Sequence, residues 1–245
     1  MAKYLILAAS SGIGTATAQL LHEQGHQLFL TGRREEKVRP LAEECSASHA
    51  VLDLTDFAAT DKVFGEAAER LGGLDGAVNC AGSVFLKAAH LTSRQQYDEV
   101  LAGSLTTAFS TVRAAGRHMS KEGGSVVLIT SAAALSGLAN HEAIAAAKGG
   151  VVGLTLSASA TYAHHRLRFN AVAPGLTETP ATEALTRSET SRRVSEAMHA
   201  LGRLGQPIDV ARAIAFLLDP ANNWITGQVL AVDGGLSRIH PRVKI

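Results

Sequence analysis

The sequence predicts an α/β fold: a doubly wound parallel sheet of about seven strands with helices on both faces, forming a single domain over residues 1–245. Three observations predict it. Short apolar runs alternate from end to end with longer segments of helical period, the pattern of repeated strand–helix–strand units. The strand candidates are mostly bare Val, Ile, Leu and Ala without polar alternation, as expected of parallel strands covered on both faces. No Pro/Gly/Ser linker, low-complexity tract or repeat divides the 245 residues, a length that alone suits one larger domain or two small ones.

The elements follow in order. Tyr4–Ala9 reads as the first strand, because its apolar run is too short for a secretory signal and ends in a Ser/Gly turn. Thr15–Gln24 is a helix stopped by Gly25. Gln27–Thr31 is the second strand, and Glu35–Cys45 a helix opened by two acids, which suits its positive dipole end. Ala50–Leu52 is the third strand. Asp56–Leu71 is a helix stopped by Gly72-Gly73, and Gly76–Asn79 the fourth strand. Ser93–Lys121 reads as one long helix with a Ser cap, stopped by Gly123-Gly124. Ser125–Thr130 is the fifth strand, Asn140–His165 a second long helical segment, and Arg168–Ala173 the sixth strand. Pro207 and Asp209 open the last helix, which ends near Asp219-Pro220, before the seventh strand, Val229–Val232. The irregular stretch from Pro174 to about Ser188, with two prolines and repeated threonines, begins a lid-like insert at about 174–200. It lies beyond the carboxyl end of a strand, where open α/β sheets bind ligands.

Composition excludes several functions. With 46% hydrophobic residues and 23 Lys+Arg against 22 Asp+Glu, the chain is not of disordered type. No long charge run supports a nucleic-acid or membrane-surface partner. The Ala-rich stretch from Ala132 to Ala147 is broken by Asn140, His141 and Glu142, which argues against a membrane span. Two cysteines, Cys45 and Cys80, make no disulfide framework and suit a reducing compartment. The expectation is a cytoplasmic protein with a small-molecule substrate. The histidines lack metal-ligand spacing, so no metal site is expected.

Immediately after the first strand stands Ala9-Ser10-Ser11-Gly12-Ile13-Gly14-Thr15, running into a helix. Small residues there let the backbone approach a pyrophosphate, and the helix start offers unpaired N–H groups. At the end of the second strand an acid would bind the ribose hydroxyls of NAD, whereas Arg suits a 2′-phosphate. The chain has Arg33-Arg34, with no acid until Glu35, which favours NADP(H) over NAD(H).

Further motifs sit at strand ends: Asp53-Leu54-Thr55, Asn79-Cys80-Ala81-Gly82, Ser131, and Pro174-Gly175-Leu176-Thr177-Glu178-Thr179. Lys148 lies on the helix after Ser131, and Ile225-Thr226-Gly227-Gln228 with Val232-Asp233-Gly234-Gly235 closes the series. This ordered set resembles the short-chain dehydrogenase/reductase family over nearly the whole chain, and so implies a Rossmann-type fold and an NADP(H)-dependent oxidoreductase. By that resemblance Ser10 to Gly14 would hold the pyrophosphate, and Asp53 with Leu54 the adenine. Asn79, Ala81 and Gly82 would line the ribose side, Lys148 would bond the nicotinamide ribose, and Pro174, Gly175, Thr177 and Thr179 would position the carboxamide. Ser131 would polarise a substrate carbonyl.

One departure concerns the chemistry. In the family a tyrosine four residues before the lysine donates the proton, and the i, i+4 spacing puts both on one helix face. This chain has Ile144 there, and no tyrosine between Tyr97 and Tyr162. Loss of a positioned general acid costs about 10²–10⁴ in rate. His141 is the candidate substitute donor, sharing a face with Ile144 and Lys148; Glu142 points elsewhere. The alternative is a catalytically impaired nucleotide-binding or regulatory subunit on the same fold. Ser104 stands where the family usually has an asparagine that anchors a water, and Ala8 where it has the first glycine of the turn. The substrate pocket is expected between Ser83, Val84, the stretch 136–141, Ile144 and the lid. Small apolar residues on the two long helices, among them Ala102, Ala108, Ala114, Ala115, Ala146, Ala147, Val151 and Val152, suggest helix pairing between subunits. A homotetramer is expected, with a dimer second, and the basic end from Arg238 to Ile245 is a further possible contact.

Overall fold

The computed structural model describes residues 1–239; the end of the basic C-terminal run lies outside the described residues. Strands β1 (Lys3–Leu7), β2 (Gln27–Gly32), β3 (Ser48–Val51), β4 (Gly76–Asn79), β5 (Gly124–Ile129), β6 (Leu167–Pro174) and β7 (Val229–Val232) form one sheet in the order β3-β2-β1-β4-β5-β6-β7. Every pairing is parallel. The order reverses between β1 and β4, the topological switch at which such sheets open a crevice.

Side chains alternate across the strands, and both faces are dry. Leu5 and Leu7 pack with Phe29, Phe64 and Phe169 on one side. Tyr4 and Ile6 pack with Leu21, Leu30 and Ile214 on the other. This explains the unbroken apolar runs, since each such side chain left in water would forgo about 1.5–3 kcal/mol. Helices α1 (Gly12–Glu23), α2 (Glu35–Glu44) and α9 (Pro207–Leu218) cover the second face; α3 (Phe57–Leu71), α5 (Thr107–His118) and α6 (Glu142–Tyr162) cover the first. Asp56 caps α3 by accepting from Ala58 and Ala59, and Gly72 ends it in the left-handed conformation at φ 68°. By length and composition α6 could cross a membrane, yet Val151 and Ala158 on it belong to the core beneath the sheet.

Three expectations need correction. The helix expected over Ser93–Lys121 is broken: α4 (Arg94–Leu101) passes through a π turn, Ala102–Thr106, into α5, which ends at His118. The Thr107 hydroxyl donates to the carbonyls of Gly103 (3.2 Å) and Ser104 (3.1 Å), satisfying groups displaced by the wider turn. The lid contains two helices that its composition hid, α7 (Glu183–Thr186) and α8 (Glu189–Met198). Finally, of the small residues expected at a helix pairing, Ala108, Ala114, Ala115, Ala147 and Val151 are buried within the chain, whereas Ala102 and Val152 are half-buried and Ala146 is exposed; the large exposed apolar groups on α5 and α6 are Phe109 and Leu156.

Candidate active site

The residues singled out in the sequence gather at the carboxyl edge of the sheet. Ser11 caps α1, accepting from the Gly14 amide (3.1 Å) and donating to the Cys80 carbonyl (3.3 Å). It thereby ties the first turn to the end of β4. The amides of Gly12 and Ile13 make no hydrogen bond among the described residues, and both residues line a cleft. A Cβ on Gly14 would lie 2.6 Å from the Ala8 carbonyl oxygen, and one on Gly12 would lie 2.7 Å from Thr179. Glycine is required at both: at Gly14 for helix–strand contact, at Gly12 so that the lid segment can approach the turn. The free amides at this helix start suit a pyrophosphate.

Ala8 has φ 55°. It therefore does more than tighten the turn, for it holds a left-handed conformation in which any Cβ is strained.

Just after β2, Arg33 and Arg34 are exposed. Arg34 meets Glu36 at 3.9 Å, while Arg33 has no ion pair among the described residues. Glu35 faces inward to its own neighbours, accepting from Arg39 (2.6 Å) and meeting His49 (3.1 Å). These bonds, from His49 first and then Arg39, hold its carboxyl below the ordinary range. Asp53 does not cap α3. It accepts from the Thr55 amide (2.9 Å) and hydroxyl (2.8 Å), which lower its pKa, and the Arg33 charge adds to the effect. Leu54 beside it is buried in the core. Ser10 lies against Gly32, where a Cβ would meet its oxygen at 3.0 Å.

Asn79 is fully engaged: its amide nitrogen donates to Thr111 (2.9 Å) and its oxygen accepts from the Ala81 amide (2.8 Å). It shapes the turn that carries Ala81 and Gly82. Lys148 is buried on α6, and its Nζ donates to the Ile129 carbonyl at the end of β5 (2.8 Å). The Thr130 hydroxyl donates back to the Lys148 carbonyl (2.8 Å). Among the described residues no carboxylate neutralises the amine, and desolvation lowers its pKa to about 8. A Cβ on Gly82 would stand 3.3 Å from Nζ. The Cys80 thiol is pushed up to about 12 by burial and is inert.

Ser131 leaves β5 in extended conformation and accepts from the Ala133 amide (3.2 Å), which leaves its hydroxyl hydrogen free to donate. Ile144 is buried beside Val100, Ala143 and Ala147, with Phe85 and Leu101 against them. His141 is at the N-cap of α6 rather than on its first turn. Its Nδ1 donates to the Ala139 carbonyl (2.7 Å), leaving Nε2 free. Ser104, in the π turn, is buried with no hydrogen-bond partner for its hydroxyl among the described residues.

Two cavities meet here. The cleft, about 170 Å3, is lined by Gly12, Ile13, Gly82, Lys148, Thr177 and Thr179 among others. The second, about 480 Å3, opens under the lid and includes His141, Leu138, Val194 and Met198. Ser83, Ser131, Ile144, Pro174 and Gly175 line both. The structure thus brings Ser131 and Ile144 to the junction, Lys148 to the cleft and His141 to the lid side. None of Tyr4, Tyr97 and Tyr162 lines either cavity. A larger cavity, about 880 Å3 around Gly124, Leu167 and Trp224, contains none of these residues. Among the described residues no group of three His, Cys, Asp or Glu side chains could hold a metal.

His199 was not visible as a site residue from the sequence. It is buried, its Nδ1 donates to the Ser195 carbonyl (2.7 Å), and its Nε2 accepts from the Leu176 amide (3.1 Å). Both partners require the neutral ring, which pins the end of α8 to the segment after β6. Only a contact across 23 residues reveals it.

The family model described as "Enoyl-(Acyl carrier protein) reductase" matches residues 7–237. A cis-4-hydroxycyclohexanecarboxylate dehydrogenase of Sinomonas cyclohexanicum is 37% identical over 96% of each chain. A 3-oxoacyl-(acyl-carrier-protein) reductase FabG of Thermotoga maritima is 32% identical over 95% of this chain and 96% of its own. Among solved structures, ElxO with NADP bound superposes with TM-score 0.90 at 29% identity, covering 96% of this chain and 99% of that one. An actinorhodin polyketide ketoreductase variant with NADPH gives 0.89 at 26% identity, over 97% and 98% of the two chains. With sheet order, edge motifs and full-length relatives in agreement, the chain belongs to the short-chain dehydrogenase/reductase family of oxidoreductases, whose relatives here act on hydroxyl and carbonyl groups.

Proposed function

We propose that the protein is an NADP(H)-dependent oxidoreductase that interconverts a carbonyl and an alcohol at an atypical site lacking a phenol. The observation that carries this reading is the junction itself: Ser131, with a free hydroxyl hydrogen, lies where the cleft of Lys148 meets the lid-side cavity. The cofactor, when bound, supplies or accepts hydride at that junction. Gly12, Ile13 and Gly14 would hold its pyrophosphate, Asp53 and Leu54 its adenine, and Asn79, Ala81 and Gly82 its ribose side. Lys148 would bond the second ribose, and Pro174, Gly175, Thr177 and Thr179 the carboxamide. Preference for the 2′-phosphate rests on Arg33, which has no ion pair among the described residues, with Arg34 beside it, and on Glu35 being committed to Arg39 and His49. The NADP- and NADPH-bound neighbours support the same preference.

The proton is assigned to His141, a residue of the lid-side cavity whose Nδ1 is committed to Ala139 and whose Nε2 has no partner among the described residues. An imidazole nitrogen can both give and take a proton. The burial of Ile144 among alkyl side chains favours a second reading, a cofactor-binding subunit of little turnover. A fluorescence titration with NADPH and NADH, followed by turnover on a panel of ketones and quinones, tests both. Tight NADPH binding with carbonyl-dependent oxidation supports the enzyme; binding without oxidation supports the second reading; absence of binding defeats both. Phe109 and Leu156, exposed on α5 and α6, are the groups around which a homotetramer, or a dimer, would assemble.

A further inference from the structure

We infer that the substrate of this site is an uncharged, largely hydrocarbon ketone or alcohol, held in an apolar trough that, among the described residues, offers its ligand no carboxylate, ammonium or guanidinium group. The inference rests on the oxidoreductase reading above and adds the chemistry of the substrate.

The lid-side cavity is about 480 Å3, within the range of small-molecule sites. Among the described residues no Lys, Arg, Asp or Glu lines it. Its walls are Val84, Leu86, Leu138, Ile144, Val194 and Met198, together with small hydroxyl residues. Val84, Leu86, Val194 and Met198 are also among the exposed large hydrophobic residues of the chain, at 42%, 40%, 58% and 47% exposure. Apolar surface gathered around one concavity is what an apolar ligand would cover.

The charges of α8 are turned elsewhere. Thr190, Val194 and Met198, four residues apart, present one face to the trough. On the rest of the helix Arg193 pairs with Glu189 (3.0 Å), and Arg192 with Glu196 (3.0 Å) and Glu178 (2.5 Å). Of the two histidines in the lining, His199 has both nitrogens committed as a neutral ring, whereas His141, donating through Nδ1 to Ala139, is cationic only while Nε2 holds the proton it passes to the carbonyl. A carboxylate entering the trough would lose its water without gaining a partner. The relative named for 4-hydroxycyclohexanecarboxylate is therefore not a guide to the substrate here.

The test uses a matched pair on the full-length protein, 4-tert-butylcyclohexanone and 4-oxocyclohexanecarboxylate, with the methyl ester of the acid as a third ligand. Binding is measured by calorimetry with and without NADPH, and reduction by NADPH oxidation. The neutral ketone and the ester are expected to bind at least tenfold more tightly than the acid, and to show a correspondingly higher kcat/KM. Val194→Lys, at an exposed position, is expected to narrow or reverse that ratio. Equal or tighter binding of the acid overturns the inference. So does failure of every ketone to bind a protein that takes up NADPH, or a self-associated state in which a second copy covers the trough. If NADPH itself does not bind, the oxidoreductase reading fails, while calorimetry without cofactor still decides the chemistry of the trough.

Discussion

Lys148 and Ile144 stand one helical turn apart on α6 and line the same cleft, so the buried amine that donates to the Ile129 carbonyl has an alkyl neighbour where it could share a proton. Restoring a phenol by Ile144→Tyr is expected to raise carbonyl reduction by about 10²–10⁴. Steady-state kcat on a neutral ketone checks it. No gain would show that Ser131 and the cofactor do not meet the substrate in a productive geometry.

No tyrosine lines either cavity, and the proposed proton donor is His141. His141→Ala is expected to lower kcat by about 10²-fold with a smaller change in KM, because a positioned acid acts in the transition state. An unchanged kcat removes His141 from the chemistry.

Cofactor choice is expected to depend on Arg33. A hydrogen bond to a charged group contributes about 1.5–3 kcal/mol, so Arg33→Ala should reduce the NADPH-over-NADH affinity ratio by about 10–100-fold. Fluorescence titration of both cofactors measures it, and a constant ratio would clear Arg33 of the role.

Ala8 holds φ 55° at the turn between β1 and α1. A left-handed L-residue costs about 1–2 kcal/mol, whereas glycine costs about 0.5–1 kcal/mol in chain entropy. Ala8→Gly is therefore expected to leave stability unchanged or raise it by about 1 kcal/mol, a gain of about 2–4 °C in Tm. Thermal unfolding decides, and a clear loss would mean that the methyl group packs to advantage.

The Lys148 amine is expected to leave a signature in stability against pH. Its folded pKa, about 8, lies below the ordinary 10.5 because of burial. The unfolded chain therefore binds more protons above about pH 8, and this group's contribution makes stability rise with pH there. Cys45 and Cys80 act in the opposite direction from about pH 9, since burial raises their pKa values to about 11 and about 12. The clean window is thus pH 8–9, and Lys148→Met should abolish the rise in urea-unfolding free energy across it. A slope identical in the two proteins would place the amine in water.

The strands and their edge were legible because parallel strands buried on both faces must be apolar without alternation, and because ligands gather at their carboxyl ends. Gly76–Asn79 and Val229–Val232 match the expected strands at both ends. The site was legible through residues adjacent in sequence to strand ends, such as Asn79, Ser131 and Thr177. The π turn at Ala102–Thr106 was not, since a change in hydrogen-bond partner leaves helical period and propensity almost unaltered. The lid helices were masked by prolines and threonines just ahead of them, and α8 follows a Ser188 cap in a segment that reads as polar. His199 could not be found locally, because its meaning lies in Leu176 and Ser195.

The α8 lid carries an asymmetry with a mechanical outcome. Its outer charges are satisfied by one another and by Glu178, which Gln206 also grips from the start of α9. Its inner face alone has wetting left to relieve. A hydrocarbon guest of the kind inferred above would therefore meet α8 on its apolar side alone, and covering Val194 and Met198 would release the water they now hold.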